Sequence, residues 1–159
     1  MRIALGRDLK EAAAWSPALA TAGTRATLLP EGHTLTPTRA YERHEVDVEV
    51  RAPGEYLLDP DPVVTRAGLV AELARELGAW KIDERIAFLS ADTPMRTPFG
   101  RSLRVIDSAP WNQKQLPASA RLCELDIGAV DIRRRGLAGD VDQLRKRLKL
   151  SGARRATSS

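Results

Sequence analysis

One stretch of this chain leaves little choice of secondary structure. Asp59-Pro60 can open a helix, with Asp59 as N-cap and Pro60 as the first helical residue, whose missing N–H would have had no intrahelical partner. Val63, Ala67, Val70, Ala74 and Leu77 then recur at spacings of four, three, four and three, the period of one helix face, and Gly78 supplies the stop. An amphipathic helix gains most of its stability from what it packs against. Only seven of the 159 residues are Phe, Trp or Tyr, so the opposing surface must be built mainly from Leu, Val, Ile and Ala.

Short strands can supply that surface. Ile3 and Leu5 alternate with charge, a turn follows at Gly6 to Asp8, and Ala12 to Trp15 and Arg25 to Leu29 read as two further extended runs. Pro30 to Pro53 is a connector rich in Pro, Gly and Thr, containing one half-buried strand in which Val46, Val48 and Val50 alternate with charge. Ile82 to Ala91 and Leu103 to Ile106 predict two strands, separated by the Pro-rich segment Thr93 to Pro98. Asn112 to Leu125 predicts a helix that Pro117 would interrupt unless the helix begins there. Val130 and Ile132 predict a strand whose other side carries Arg133 and Arg135, and Val141 to Leu150 predicts a last helix with Val141, Leu144 and Leu148 inward.

Charge is unevenly placed along this framework. From Arg133 to Arg155 there are nine Lys or Arg against Asp140 and Asp142, a local +7, while the rest of the chain holds 16 basic and 19 acidic residues, a net −3. A basic end on a slightly acidic body points to a polyanion, since each neutralised phosphate releases counterions. Trp111 beside Lys114 could add a stacking surface, although a lone Trp is as readily part of a core.

Several chemistries are excluded by what is missing. No G-x-G turn exists to let a backbone approach a nucleotide cofactor, and the P-loop, H-E-x-x-H and G-x-S-x-G patterns are all absent. A lone Cys123 reads as a small core residue, and His33 and His44 read as solvated loop residues with no assigned role. Asp59/Asp61 and Asp83/Glu84 are explained by capping and turn formation. No apolar leader or membrane span is visible, so a cytoplasmic location is expected.

Three stretches stand in a recognisable order: Tyr56-Leu57-Leu58-Asp59-Pro60-Asp61-Pro62-Val63-Val64-Thr65-Arg66-Ala67-Gly68-Leu69-Val70, then Pro110-Trp111-Asn112-Gln113-Lys114, then Ile127-Gly128-Ala129-Val130-Asp131-Ile132-Arg133-Arg134-Arg135-Gly136 with Leu144-Arg145-Lys146-Arg147-Leu148. Over Glu55 to Thr157 they resemble the THUMP-like C-terminal domain of class I S-adenosylmethionine-dependent methyltransferases of the actinobacterial type. Lys10 to Trp15 and Arg25 to Pro30 look like the last strands of the methyltransferase core in the same family.

The resemblance implies an α+β fold: a small mixed sheet with two to three packed helices, preceded by a β-hairpin remnant of a methyltransferase core. It divides the chain into that remnant (1–36), a linker with a short strand (37–53) and the THUMP-like domain (54–159). S-adenosylmethionine is the cofactor of the full-length family, whose cofactor-binding strand and acidic-Pro segment would lie upstream of residue 1, so no cofactor is expected in this chain. The family continues past a segment like Arg154 to Thr157 into a closing apolar strand, whereas this sequence stops at Ser159. A truncated chain with an unpaired sheet edge is therefore expected.

Three functions stay open. The first is an RNA-binding module that recruits tRNA or rRNA, with Arg133, Arg135, Arg145, Lys146, Lys149 and Lys114 on phosphates. The second is one half of a split methyltransferase whose catalytic half comes from another polypeptide. The third is a non-catalytic domain that pairs with a second copy through its open edge.

Overall fold

The computed structural model describes residues 1–5, 8–14, 16, 18–19, 23–37, 48–108, 122, 124–132, 150 and 152–158. The chain forms two compact units, residues 1–108 and 109–159. Its architecture is α+β, with three small sheets and two complete helices among the described residues.

The first unit opens with a hairpin of β1 (Arg2–Leu5) and β2 (Asp8–Ala12). Strand β1 also pairs in parallel with β3 (Ala26–Leu29), which returns as β4 (His33–Leu35), giving the order β2-β1-β3-β4. The second extended run thus falls at Asp8–Ala12 and not at Ala12 to Trp15, because Leu5 faces Asp8 and the hairpin closes at once, leaving Ala12 opposite Arg2. His33 belongs to a strand and not to the expected connector: Leu28 faces it in the register, and Leu35 two residues on is buried. Val46 and His44 lie outside the described residues.

The second sheet, wholly antiparallel, runs β6-β7-β5-β8 and comprises β5 (Tyr56–Pro60), β6 (Trp80–Lys81), β7 (Leu89–Ala91) and β8 (Gly100–Arg104). Of the single strand expected over Ile82 to Ala91, only Leu89–Ala91 is strand, and β6 ends at Lys81, before that range begins. Helices α1 (Pro62–Ala67) and α2 (Val70–Leu77) join β5 to β6.

The helix of the sequence pattern is present, but later and broken. Two Asp-Pro pairs compete for its start, and pairing with β8, which runs through Asp59 and Pro60, draws the first pair into the sheet. Asp61 is therefore the cap, its Oδ1 accepting from the Val63 N–H at 2.9 Å, with Pro62 as the first helical residue. Gly68, at φ 70°, ends α1: the Leu69 N–H reaches the Val64 carbonyl at 3.0 Å and the Gly68 N–H that of Thr65 at 3.2 Å. Gly78, at φ 61°, ends α2 in the same way, through Ala79 to Ala74 at 2.8 Å and Gly78 to Arg75 at 3.2 Å. Both are Schellman closures, which need a left-handed residue that glycine adopts without strain. The break re-aims the second half, so Leu69 and Leu73 join the expected Val63 and Ala74 in the core, while Ala67, Val70 and Leu77 are half-buried.

These elements share one core. Ala4, Ala26, Leu28 and Leu35 of the first sheet join Leu58, Val63, Val64, Leu69, Leu73, Ala74, Trp80, Leu89, Ala91, Met95 and Phe99, with α1 lying against β1 and β3. Leu58, Leu73, Leu89, Val63 and Val64 are fully buried.

A strap covers the β6 side of the second sheet. The Lys81 N–H donates to the Glu49 carbonyl and the Arg51 N–H to the Lys81 carbonyl, both at 2.9 Å, around a parallel bridge between Val50 and Lys81. Trp80 Nε1 donates to the Ala52 carbonyl at 2.9 Å while the Arg51 guanidinium lies 4.2 Å from the Trp80 ring centroid. Farther along, the Gly54 N–H donates to Ser90 Oγ at 2.9 Å, and that hydroxyl donates to the Tyr56 carbonyl at 2.7 Å. A Cβ at Gly54 would run into Asp92, Ala91 and Trp80, which explains a glycine there.

In the second unit β9 (Ile127–Ile132) pairs in parallel with β10 (Arg154–Ser158). The strand through Val130 and Ile132 is as expected and begins three residues earlier. Arg154–Ser158, for which no strand was expected, is β9's partner. Leu122 and Glu124 are helical, within the helix expected over Asn112 to Leu125. The rest of that helix up to Arg121, and the last helix over Val141 to Lys149, lie outside the described residues.

Candidate functional site

The six residues expected to hold nucleic acid, Lys114, Arg133, Arg135, Arg145, Lys146 and Lys149, lie outside the described residues, as does Cys123. What the second unit does show is the frame that carries five of them. Strand β9 ends at Ile132, directly before Arg133, and β10 begins at Arg154, so the basic segment is the connection between two parallel neighbours. Parallel strands require a crossover of at least about a dozen residues, which fixes both ends of that connection on one small ladder.

The mouth of the ladder is tightly built. Asp126, at φ 56°, presents its carbonyl to the Arg154 N–H at 2.9 Å and its Oδ1 to the Ala153 N–H at 3.3 Å. A Cβ on Gly128 would fall on the Gly152 backbone, and one on Gly152 on that of Asp126 and Ile127. Two bare backbones are what let the strands meet here. Arg154 and Arg155, the last two residues of the basic segment, are exposed at the start of β10.

The first unit holds a cleft of about 420 Å³ lined by Leu28, Leu29, Glu31, His33, Asp61, Pro98 and Gly100. It opens between the β3–β4 turn and the start of α1. Sequence reasoning did not find it, because Glu31 and His33 read as loop residues and only the β3–β4 pairing brings them opposite Asp61. Its polar wall is mainly acceptors, and Asp61, only 4% exposed, already spends Oδ1 on the Val63 amide.

Two further acids are structural as well. Glu72 pairs with Arg75 at 3.0 Å one turn along α2, and Asp83 Oδ1 accepts from the Arg85 N–H at 2.7 Å in a turn. Among the described residues no group of three or more His, Cys, Asp or Glu could hold a metal ion. The turn from β5 into α1 is Asp61-Pro62, whose proline offers no amide and whose carboxylate occupies the next one. Such a turn does not fit the adenosyl or methionine end of S-adenosylmethionine, which needs glycines and free N–H groups at that place. No helix among the described residues is long and apolar enough to cross a membrane.

Comparison with known proteins adds a lineage to this geometry. Residues 100–158, from β8 through β10, match the family described as THUMP domain-like. Two curated proteins of Mycobacterium tuberculosis, from strains CDC 1551 / Oshkosh and H37Rv, are each 36% identical over 148 residues. Each is named an uncharacterized S-adenosylmethionine-dependent methyltransferase. The alignment takes in 92% of this chain and 39% of either relative, so the chain spans about two fifths of their length. A crystal structure of a candidate methyltransferase from Porphyromonas gingivalis W83 superposes over 84% of this chain and 34% of its own, with a TM-score of 0.60 at 18% identity, and so shares the fold.

Proposed function

We propose that this chain, a THUMP-like, methyltransferase-related module, binds RNA and presents it to a methyl-transferring half that lies outside these 159 residues. The observation that carries the reading is one of position: the +7 segment Arg133 to Arg155 falls inside the THUMP domain-like match and bridges the two paired strands β9 and β10. Arg133, Arg135, Arg145, Lys146 and Lys149, with Lys114 before them, take phosphates by charge-assisted hydrogen bonds, and tRNA or rRNA is the class of partner. Catalysis and S-adenosylmethionine belong to the remainder of the enzyme, in a cytoplasmic setting. The Asp-Pro turn into α1 supports that division.

The test is fluorescence anisotropy with labelled bulk tRNA across a salt series. Six phosphate contacts predict a loss of affinity on the order of a thousandfold between about 50 and about 200 mM salt, with most of that dependence gone when the six basic residues become Ala. Binding indifferent to both salt and substitution would sink the proposal.

The coverage of only 39% of either mycobacterial relative favours a second, compatible reading, in which activity requires a separate cofactor-binding polypeptide. It expects calorimetry to detect no S-adenosylmethionine on this chain alone and a methyltransferase half to co-purify with it. Heat of S-adenosylmethionine binding by the isolated chain would contradict that division of labour.

A further inference from the structure

The cleft of the first unit brings its polar groups together through backbone pairing. His33 stands opposite Leu28 in the β3–β4 register, and directly paired residues project to the same side of a sheet. Leu28 and Leu35 share one core with Val63 and Val64 of α1, so His33 is on the side of the sheet where α1 lies. Glu31 sits in the turn between the two strands, which the Gly32 N–H closes onto the Leu28 carbonyl at 2.9 Å. Asp61 comes from the facing wall, its own N–H donating to the Phe99 carbonyl at 2.8 Å, and Pro98 and Gly100 flank that contact.

Asp61 is the unusual member of the set. It is 4% exposed, and one oxygen of its carboxylate accepts from the Val63 N–H. The other oxygen has no hydrogen-bond partner among the described residues, yet it is not sealed from solvent, so it opens into the cleft that Asp61 lines. Neither Asp61 nor Glu31 is ion-paired within the described residues, and no Lys or Arg among them lines the cleft. A carboxylate oxygen withdrawn from bulk water without a donor is unfavourable, and a ligand that supplies the donor relieves it.

The walls select the ligand. Two carboxylates repel an anion, and the α1 amides offer it nothing, because Pro62 has no N–H and that of Val63 is taken. A bare metal ion lacks ligands, since no group of three or more His, Cys, Asp or Glu among the described residues could hold one. Beside its acceptors the cleft offers Leu28, Leu29 and Pro98, an apolar lining that a methylene stem can cover while its charged head reaches the acceptors. Its volume of about 420 Å³ is that of a small-ligand site.

The geometry points to this cleft as a binding site for an aliphatic ammonium or guanidinium group, its head on the open oxygen of Asp61 and on Glu31, its stem on Leu28, Leu29 and Pro98. The inference goes beyond the RNA-binding reading and does not depend on it.

The experiment is amide NMR of the full chain titrated with two probes, putrescine for a free amine and Nα-acetyl-lysine methylamide for a protein side chain. Saturable shifts are expected at Glu31, Gly32, His33, Asp61 and Gly100 with at least one probe, and none at Asp83 and Glu84, an acidic pair outside the cleft. Tighter binding of putrescine assigns a free amine, and tighter binding of the capped lysine assigns a side chain of another protein. Glu31→Gln, in an exposed turn, should weaken the preferred probe on the order of tenfold with an unchanged melting temperature. Asp61→Asn, which keeps an acceptor for the Val63 N–H and removes the charge, should weaken it by a similar factor. The site is overturned if neither probe shifts the cleft amides, if Asp83 and Glu84 shift equally, or if both variants bind as the wild type does. Displacement of the probe by an equal concentration of magnesium chloride would overturn it too, since the attraction would then be general to carboxylates.

Discussion

The two units hold their strands together by different means. In residues 1–108 position follows from burial: two sheets and two helices converge on one aliphatic core, with Leu58, Leu73 and Leu89 wholly withdrawn from water. In residues 109–159 Ile127 is the one buried apolar side chain among the described residues, and the β9–β10 ladder owes its closeness to Gly128, Gly152 and the two bonds to Asp126. A packed scaffold holds its strands through buried side chains, whereas this ladder is drawn together through bare backbone. That contrast suits a molecule in which the dense positive charge sits on the second unit.

The sharpest way to break the contrast is to attack the core. Leu73→Ala should cost about 2–5 kcal/mol of stability, read by urea unfolding followed by circular dichroism, because a fully buried Leu leaves a cavity that its neighbours fill only in part. A loss below about 1 kcal/mol would mean that burial does not organise the first unit.

The ladder is tested by giving it a side chain. Gly128→Ala should cost about 1–3 kcal/mol locally, since the added methyl must push back the Gly152 backbone. Amide exchange should then accelerate across 127–132 and 154–158, while amides of β5 and α2 keep their protection. Unchanged exchange on β9 would show that the strands do not meet at this glycine.

The smallest effect concerns the cap. Asp61→Ala should cost about 0.5–2 kcal/mol in a thermal melt, and Asp61→Asn distinctly less, because Asn can accept the same Val63 N–H bond. Asp59→Ala should leave the helix start intact, since Asp59 lies within β5. If the Ala effects were reversed between the two positions, the cap would belong to the first Asp-Pro pair after all.

Sequence made legible whatever a residue does to its own immediate backbone. Gly78 as a stop, an Asp-Pro start, the strand through Val130 and Ile132 and the turns at Asp83 all rest on local chemistry, and all are present. Long-range pairing hid the rest. Choice between Asp59 and Asp61 depends on β8, about forty residues away, claiming Asp59 and Pro60 for the sheet. Likewise His33 becomes a strand residue only because β3 lies beside it, and Arg154–Ser158 only because β9 does. The break at Gly68 was readable in principle from the glycine itself, but an unbroken three-four period ran across it and masked the interruption.

The site divides along the same line. The +7 segment is plain from composition, since charge density requires no partner to be seen. The cleft beside Asp61 is not, because only the pairing of β3 with β4 brings Glu31 and His33 to it.

The glycine pair at 128 and 152 also constrains how this protein can change over generations. Neither position can gain a side chain until the opposite strand has retreated, and a retreat at one helps only if the other stays bare. The two sites, 24 positions apart in the chain, therefore form a single unit of heritable variation. A library randomised at both should yield survivors clustered at Gly-Gly, with almost none carrying a side chain at either position.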